Sequence, residues 1–209
     1  MNELGFGQSM KMERWLVLSR IFLSSDWHFG HNKEFIYVPR GFAAIEEHNE
    51  QLIKNHNSIV NEDDDVYVLG DLMLGDQDLG IECIKQLKGR LHIIRGNHDS
   101  DTKWEKYKEL PNVVELIGWA TMLKYRKYHF YLSHFPTMTH NIEKESLKQT
   151  VINLYGHLHQ QTNFYNNIPQ LYHVGIDSHN NYPVLLDDII EEIKTKYNGE
   201  KGEISKNDD

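Results

Sequence analysis

Short apolar runs recur along this chain, each of strand length and each running into residue types able to bind metal ions, and that recurrence constrains the fold more than any other feature. Ile21–Leu23 leads into Asp26-Trp27-His28, Val66–Leu69 into Gly70-Asp71, and Leu91–Ile94 into Arg95-Gly96-Asn97-His98-Asp99. Further along, His129–Leu132 leads into Ser133-His134 and Val151–Tyr155 into Gly156-His157-Leu158-His159. Runs this short, rich in β-branched and aromatic residues, read as buried strands. Between the first two, Phe42, Ile45, Leu52, Ile53, Ile59 and Val60 fall at helical spacing and predict a helix over about 43–60. Leu79, Cys83, Ile84 and Leu87 predict another over 77–88. Strands alternating with helices require parallel pairing through crossovers, hence an α/β domain.

Beyond position 111 the pattern turns towards β-structure, with further strands expected at Val113–Ile117, Met122–Tyr125, Leu171–Ile176 and Pro183–Leu186. A helix at about 101–109 and a turn at 187–193 complete the expected map. The 209 residues suffice for one domain, expected over 15–197 between a loose arm at 1–14 and a charged, flexible tail at 198–209. The N-terminal run Trp15–Leu23, interrupted by Ser19 and Arg20, is too short for a membrane helix and lacks a cleavage pattern, so no membrane association is expected. Cys83 is the single cysteine; it excludes an intramolecular disulfide or a thiolate metal cage and fits a reducing cytoplasm. A formal charge of −9 argues against stable binding to duplex nucleic acid or anionic lipid. Oligomeric state has no signature here.

Ligands of open α/β sheets collect at the carboxyl ends of the strands, so the residues that stop these runs are expected to converge. They offer the carboxylates of Asp26 and Asp71, the amide of Asn97, and the imidazoles of His28, His134, His157 and His159, with His98 in reserve. Such a set exceeds what one ion takes and suits two ions sharing a carboxylate bridge, for which Asp71 is the candidate. Nitrogen and oxygen donors without sulfur suit Mn, Fe, Zn, Ni or Co better than Mg or Ca. Gly70, Gly96 and Gly156 each precede a proposed ligand, where the backbone must turn and pass close. Asp-x-His and His-x-His are expected to place alternate side chains on one side of an extended segment.

Other residues carry weaker expectations. His31 follows the first motif closely and is a candidate substrate contact, and Arg40 is expected either to grip a phosphate oxygen or to lie in an exposed turn. Arg95 divides evenly between structural pairing and substrate contact. His48, His56, His173 and His179 read as packing residues, Cys83 as core, and Glu62-Asp63-Asp64-Asp65 as a solvated turn. The stretch from Thr137 to Gln149 is long enough for a short lid.

The five motifs, in this order, resemble those of the calcineurin-like metallophosphoesterases: Asp26-Trp27-His28, Gly70-Asp71, Gly96-Asn97-His98-Asp99, His134 and Gly156-His157-Leu158-His159. His28-Phe29-Gly30-His31 is similar to the small bacterial and phage-type members. The resemblance implies a two-sheet β-sandwich flanked by helices, the metallo-dependent phosphatase fold, with a dinuclear centre at one edge. It implies that Asp26, His28 and His159 bind one ion and Asn97, His134 and His157 the other, with Asp71 between them. His98 would face the substrate phosphate, and Asp99 would orient its ring. The implied activity is hydrolysis of phosphate esters by a metal-bridging hydroxide, most simply of small phosphodiesters or nucleotides. A phosphomonoesterase or nuclease on the same site, or a non-catalytic module of the same fold, are the alternatives.

Overall fold

The computed structural model describes residues 19–139 and 146–204, with side chains as far as 199; the expected arm at 1–14 and the last five residues of the expected tail lie outside it. Alternation within the N-terminal strands explains the layering. In β1 (Ile21–Ser24), β2 (Asp65–Val68) and β3 (Arg90–Ile94), Phe22, Val66, Val68, Leu91 and Ile93 point to one face, while Leu23, Tyr67 and Ile94 point to the other. The first face packs against the helices α2 (Ile45–Ile59), α3 (Gln77–Lys85) and α4 (Asp101–Lys108) through Leu52, Cys83, Ile84 and Tyr107. The other face packs against a second sheet through Phe130, Leu132, Ile152, Leu154 and Tyr172. Both faces being buried is why these strands read as nearly continuous apolar runs.

The first sheet has the order β4-β3-β2-β1-β9, with β4 at Val113–Gly118 and β9 at Val184–Leu185; β1 to β4 run parallel and β9 antiparallel to β1. The second sheet has the order β5-β6-β7-β8, from β5 (Ala120–Tyr125), β6 (Tyr128–Ser133), β7 (Val151–Tyr155) and β8 (Leu171–His173). The parallel pairs β1–β2–β3 and β6–β7–β8 send their carboxyl ends towards one edge of the sandwich. This is the two-sheet α/β architecture expected from the motifs.

Three expectations need correction. The turn predicted at 187–193 is the start of α5 (Leu186–Ile204), whose Leu186, Ile189, Ile190 and Ile193 are buried in the same core cluster as Leu23, Leu69 and Tyr172. Those residues fall at helical spacing, but the acids between them gave the segment the look of a solvated surface; Asp188 and Glu191 are exposed, whereas Glu192 accepts from the buried Tyr172 Oη at 2.9 Å. This helix also takes in residues 198–204 of the expected tail. The strand predicted to Ile176 stops at His173, and Ile176–Ser178 forms a 3-10 turn. Finally, the acidic run at 62–65 is not wholly solvated: Asp64 is buried and accepts from the Arg20 guanidinium at 2.6 Å. The lid expected at 137–149 falls partly on 140–145, outside the described residues.

Candidate metal centre

The strands end before the ligands do, and the chain beyond them leaves extended geometry. Asp26, His28, Asp71, His157 and His159 all have positive φ, between 46° and 71°. The extended placement expected for Asp-x-His and His-x-His is therefore replaced by left-handed turns, which aim each side chain back across the strand ends. Non-glycine residues adopt this region at a cost of about 1–2 kcal/mol each, so the surroundings must hold them there. Part of that hold is backbone pairing past the strands: the Asp26 N–H donates to Gly70 O and the His28 N–H to Asp71 O, both at 3.1 Å. Another part is glycine. A Cβ on Gly96 would collide with the Asp71 carboxylate, and one on Gly156 with Ser25 Oγ and Asp26 Oδ2.

The carboxylates are the fixed points. Asp26 is fully buried; its Oδ2 accepts from Ser25 Oγ at 2.6 Å and from the His157 N–H at 2.8 Å, while its buried Oδ1 has no partner. Burial raises the Asp26 pKa above the ordinary carboxylate value, a sign that positive charge is wanted nearby. Asp71 Oδ1 accepts from the His98 N–H at 2.9 Å. Its Oδ2 lies 3.9 Å from His28 Nε2 and 3.5 Å from His134 Nε2, facing both.

The imidazoles of His28, His134 and His159 each present Nε2 to the same space. His134 Nδ1 is 2.7 Å from Leu69 O, so it is the donor, and its Nε2 points at Asn97 Oδ1 at 2.7 Å. His159 Nδ1 is 3.0 Å from Asp177 Oδ2, and its Nε2 faces His28 Nε2 across 3.2 Å. Burial, with Arg40 and neighbouring imidazoles, lowers the His28 pKa well below the ordinary value and keeps that ring neutral. Two ring nitrogens so close, in a group that also contains the buried Asp26 carboxylate, make a donor set that suits a cation. Asp26, His28 and His159 bring donor atoms within one metal's reach, and so do Asp26, Asp71 and His134. The residues present fit divalent ions. His157 stacks its ring edge-on against His134 at 5.0 Å but belongs to neither of those close groups, and Asp26 belongs to both.

Some expected roles are relocated. Arg40 is neither in an exposed turn nor open to a substrate. Its side chain is 1% exposed and every N–H is committed: Nε and Nη2 to Asp177 at 2.9 and 3.0 Å, Nη2 also to Asp26 O at 2.7 Å, and Nη1 to Trp27 O and His48 Nε2. Asp99 does not orient the His98 ring. It is buried, with Oδ2 accepting from the N–H groups of Asp71 and Gly96 at 2.8 and 2.9 Å and Oδ1 from Tyr107 Oη at 2.9 Å, so it ties two ligand loops together. Arg95 resolves as structural, bound to Asp99 O and Asp101 and lying between the rings of Trp104 and Trp119. His56, His173 and His179 pack as expected, and Cys83 is buried.

His98 and His31 both border the cavity beside the candidate ligands. The exposed His98 ring lies 5.8 Å from that of His28, and both His31 and His98 line a cavity of about 490 Å³ with His28, Asp71, His157 and His159. Residues that the sequence did not single out also serve the site. Asp177 holds His159, and burial is outweighed by that hydrogen bond and by Arg40 in keeping its carboxyl well below the usual carboxylate range. Lys103 is buried and donates to Met73 O and His98 O, both at 2.7 Å, pinning the β2 and β3 loops.

Residues 20–175 match the model of the calcineurin-like phosphoesterase superfamily domain. The uncharacterized protein MJ1445 of Methanocaldococcus jannaschii is 32% identical over 185 residues, covering 86% of this chain and 94% of that protein. Gene 66 protein of Mycobacterium phage L5 is 27% identical over 183 residues, covering 77% and 88%. The crystal structure of AQ665, a protein of unknown function from Aquifex aeolicus, superposes with a TM-score of 0.60 at 19% identity over 83% of this chain and 98% of that one, a likeness of fold alone.

Proposed function

This chain belongs to the calcineurin-like phosphoesterase superfamily and is a metal-dependent hydrolase of phosphoric esters, and on that premise we propose that its centre holds two divalent ions and acts on small phosphodiesters, nucleotides among them. The observation that carries the two-ion reading is the position of Asp71 Oδ2, 3.9 Å from His28 and 3.5 Å from His134, where one carboxylate serves both halves of the donor set. Asp26, His28 and His159 would hold one ion, and Asn97, His134 and His157 the other. Mn fits this nitrogen and oxygen set, as do Fe, Zn and Ni.

When bound, such ions supply an acidified water as nucleophile and positive charge for the phosphoryl oxygens. The chain itself does the positioning. Asp71 Oδ1 fixes the His98 backbone, Lys103 holds the His98 carbonyl, and the ring so placed overlooks the cavity, where it can hydrogen-bond a phosphate oxygen or give a proton to the leaving oxygen. His31 lines the same cavity as a second substrate contact. His98 and His159 are both exposed at the cavity, which supports an open site of the kind a small diester can enter.

No helix among the described residues is long and apolar enough to cross a membrane. A buried lone thiol and a net charge of −9 support a cytoplasmic enzyme acting on small substrates rather than on duplex nucleic acid. The test is elemental analysis alongside hydrolysis of bis-p-nitrophenyl phosphate and p-nitrophenyl phosphate with Mn²⁺. Two metals per chain with preference for the diester is expected. Preference for the monoester moves the substrate class, and one metal per chain overturns the dinuclear centre.

A further inference from the structure

The cavity beside the metal ligands has two unlike walls. One is built from His28, Asp71, His98, His157 and His159; the other from Phe35, Ile36, Pro39 and Leu74, none of which offers a side-chain hydrogen-bonding group. Phe35 stands on the short helix α1 (Glu34–Tyr37) and is 70% exposed, a large ring left in water beside a polar site. Exposed apolar surface that lines a pocket is a contact surface awaiting a ligand.

Resting on the phosphoesterase reading, we propose that this wall is a subsite for a planar aromatic ring of the substrate, so that the natural ester carries a nucleobase rather than a sugar, a polyol or an acyl chain. The spacing supports a group covalently tied to the phosphate. Phe35 meets the His31 ring edge-on with centroids 5.6 Å apart, and His31 lies 5.7 Å from His28. The three rings thus run in an unbroken row from the apolar wall to the donor set, so a group held at Phe35 lies next to one held at His28. An open platform buries one face of a flat ring well but little of a flexible chain, and the apolar wall leaves a polyol's hydroxyls unpaired. One polar group borders the platform, the exposed Gln161 amide on the cavity lining, which can read the edge of a base or a ribose hydroxyl.

The experiment compares base-bearing with base-free esters in the Mn²⁺-loaded chain: thymidine 5′-methyl phosphate against glycerol 3-methyl phosphate, and adenosine 5′-phosphate against ribose 5-phosphate. The base-bearing member of the hydrolysed pair should be favoured at least roughly tenfold in kcat/KM, the scale of one base stacked on an aromatic ring. Phe35→Ala should bring that ratio close to one, whereas Phe35→Trp should preserve it. Equal rates in the parent chain, or a ratio untouched by Phe35→Ala, overturn the subsite. Hydrolysis of no ester at all defeats the phosphoesterase reading instead, and calorimetric binding of adenosine 5′-phosphate against ribose 5-phosphate then decides the subsite alone: tighter binding of the nucleotide upholds it, equal binding removes it.

Discussion

Arg40 and Asp177 form a bidentate ion pair, at 2.9 and 3.0 Å, that ties together two segments of one donor group, Asp26 and His159. The guanidinium holds the carbonyls of Asp26 and Trp27, and the carboxylate holds His159 Nδ1. Carboxylates that orient a metal-binding histidine usually contribute tenfold to a hundredfold in metal affinity. Asp177→Asn should weaken Mn²⁺ binding to the metal-free chain by about that factor, measured by calorimetry, with the circular dichroism spectrum retained. Unaltered affinity would show that the pair serves the fold alone.

The left-handed backbone at His157, with φ 71°, is a stability cost accepted for ligand placement. In metal-free protein His157→Gly should therefore raise stability by roughly 1 kcal/mol in urea unfolding, while Mn²⁺ affinity and phosphoesterase activity collapse. A variant less stable than the parent would mean that the His157 ring contributes more through packing against Phe135 and His134 than the turn costs.

Tyr107 reaches up from α4 to donate to the buried Asp99 carboxylate. Tyr107→Phe leaves Asp99 two backbone donors and should cost about 1.5–3 kcal/mol, as for other hydrogen bonds to a charged group. Lys103→Met removes the tie to His98 O and should lower kcat more than it raises KM, because it loosens the ring that overlooks the phosphate. An equal rise in KM at unchanged kcat would place Lys103 in ground-state binding.

His56 gives the fold an acid limit away from the site. It sits edge-on to Trp27, its Nε2 meets Lys88 O at 2.8 Å, its buried Nδ1 has no acceptor, and burial lowers its pKa to about 4. The unfolded chain, with His56 near 6.5, binds more protons between pH 6.5 and about 4, so stability is present in full above 6.5 and falls as pH drops through that window. The loss from this residue should approach roughly 3 kcal/mol. Urea midpoints at pH 7, 5.5 and 4 should fall less steeply for His56→Gln than for the parent. Parallel slopes would place the acid sensitivity elsewhere.

Chelation should lower the melting temperature of metal-loaded protein, because ions that bind only the folded chain stabilise it; at a hundredfold over Kd one ion adds about 2.7 kcal/mol. A melting temperature indifferent to EDTA and to Mn²⁺ would argue against tight ions in the native state.

Strand positions, and the convergence of Asp26, His28, Asp71, His134 and His159 beyond them, were legible because burial writes itself into apolar runs and these residues follow such runs closely. The turn geometry at Asp26, His28, Asp71, His157 and His159 was not, since histidine and aspartate carry no local signal for a left-handed backbone that neighbouring loops impose. Arg40 looked like an exposed cation because its partner lies 137 residues away, and only the tertiary fold brings Asp177 to it. Asp99 beside His98 looked like its orienting partner. Adjacent side chains leave a turn in different directions, and here the backbone N–H groups of Asp71 and Gly96 claim the carboxylate. In α5 the apolar spacing of Leu186, Ile189, Ile190 and Ile193 was present but masked by the acids around it.

Asp177 comes after every other residue of the centre along the chain, and β9, which then lies down beside β1, comes later still. A chain emerging from the ribosome thus exposes its carboxylates and imidazoles well before it owns the clamp that seats His159. The seating of His159 therefore waits on a late part of the chain, and the same late part supplies Leu186, Ile189, Ile190 and Ile193 to the core.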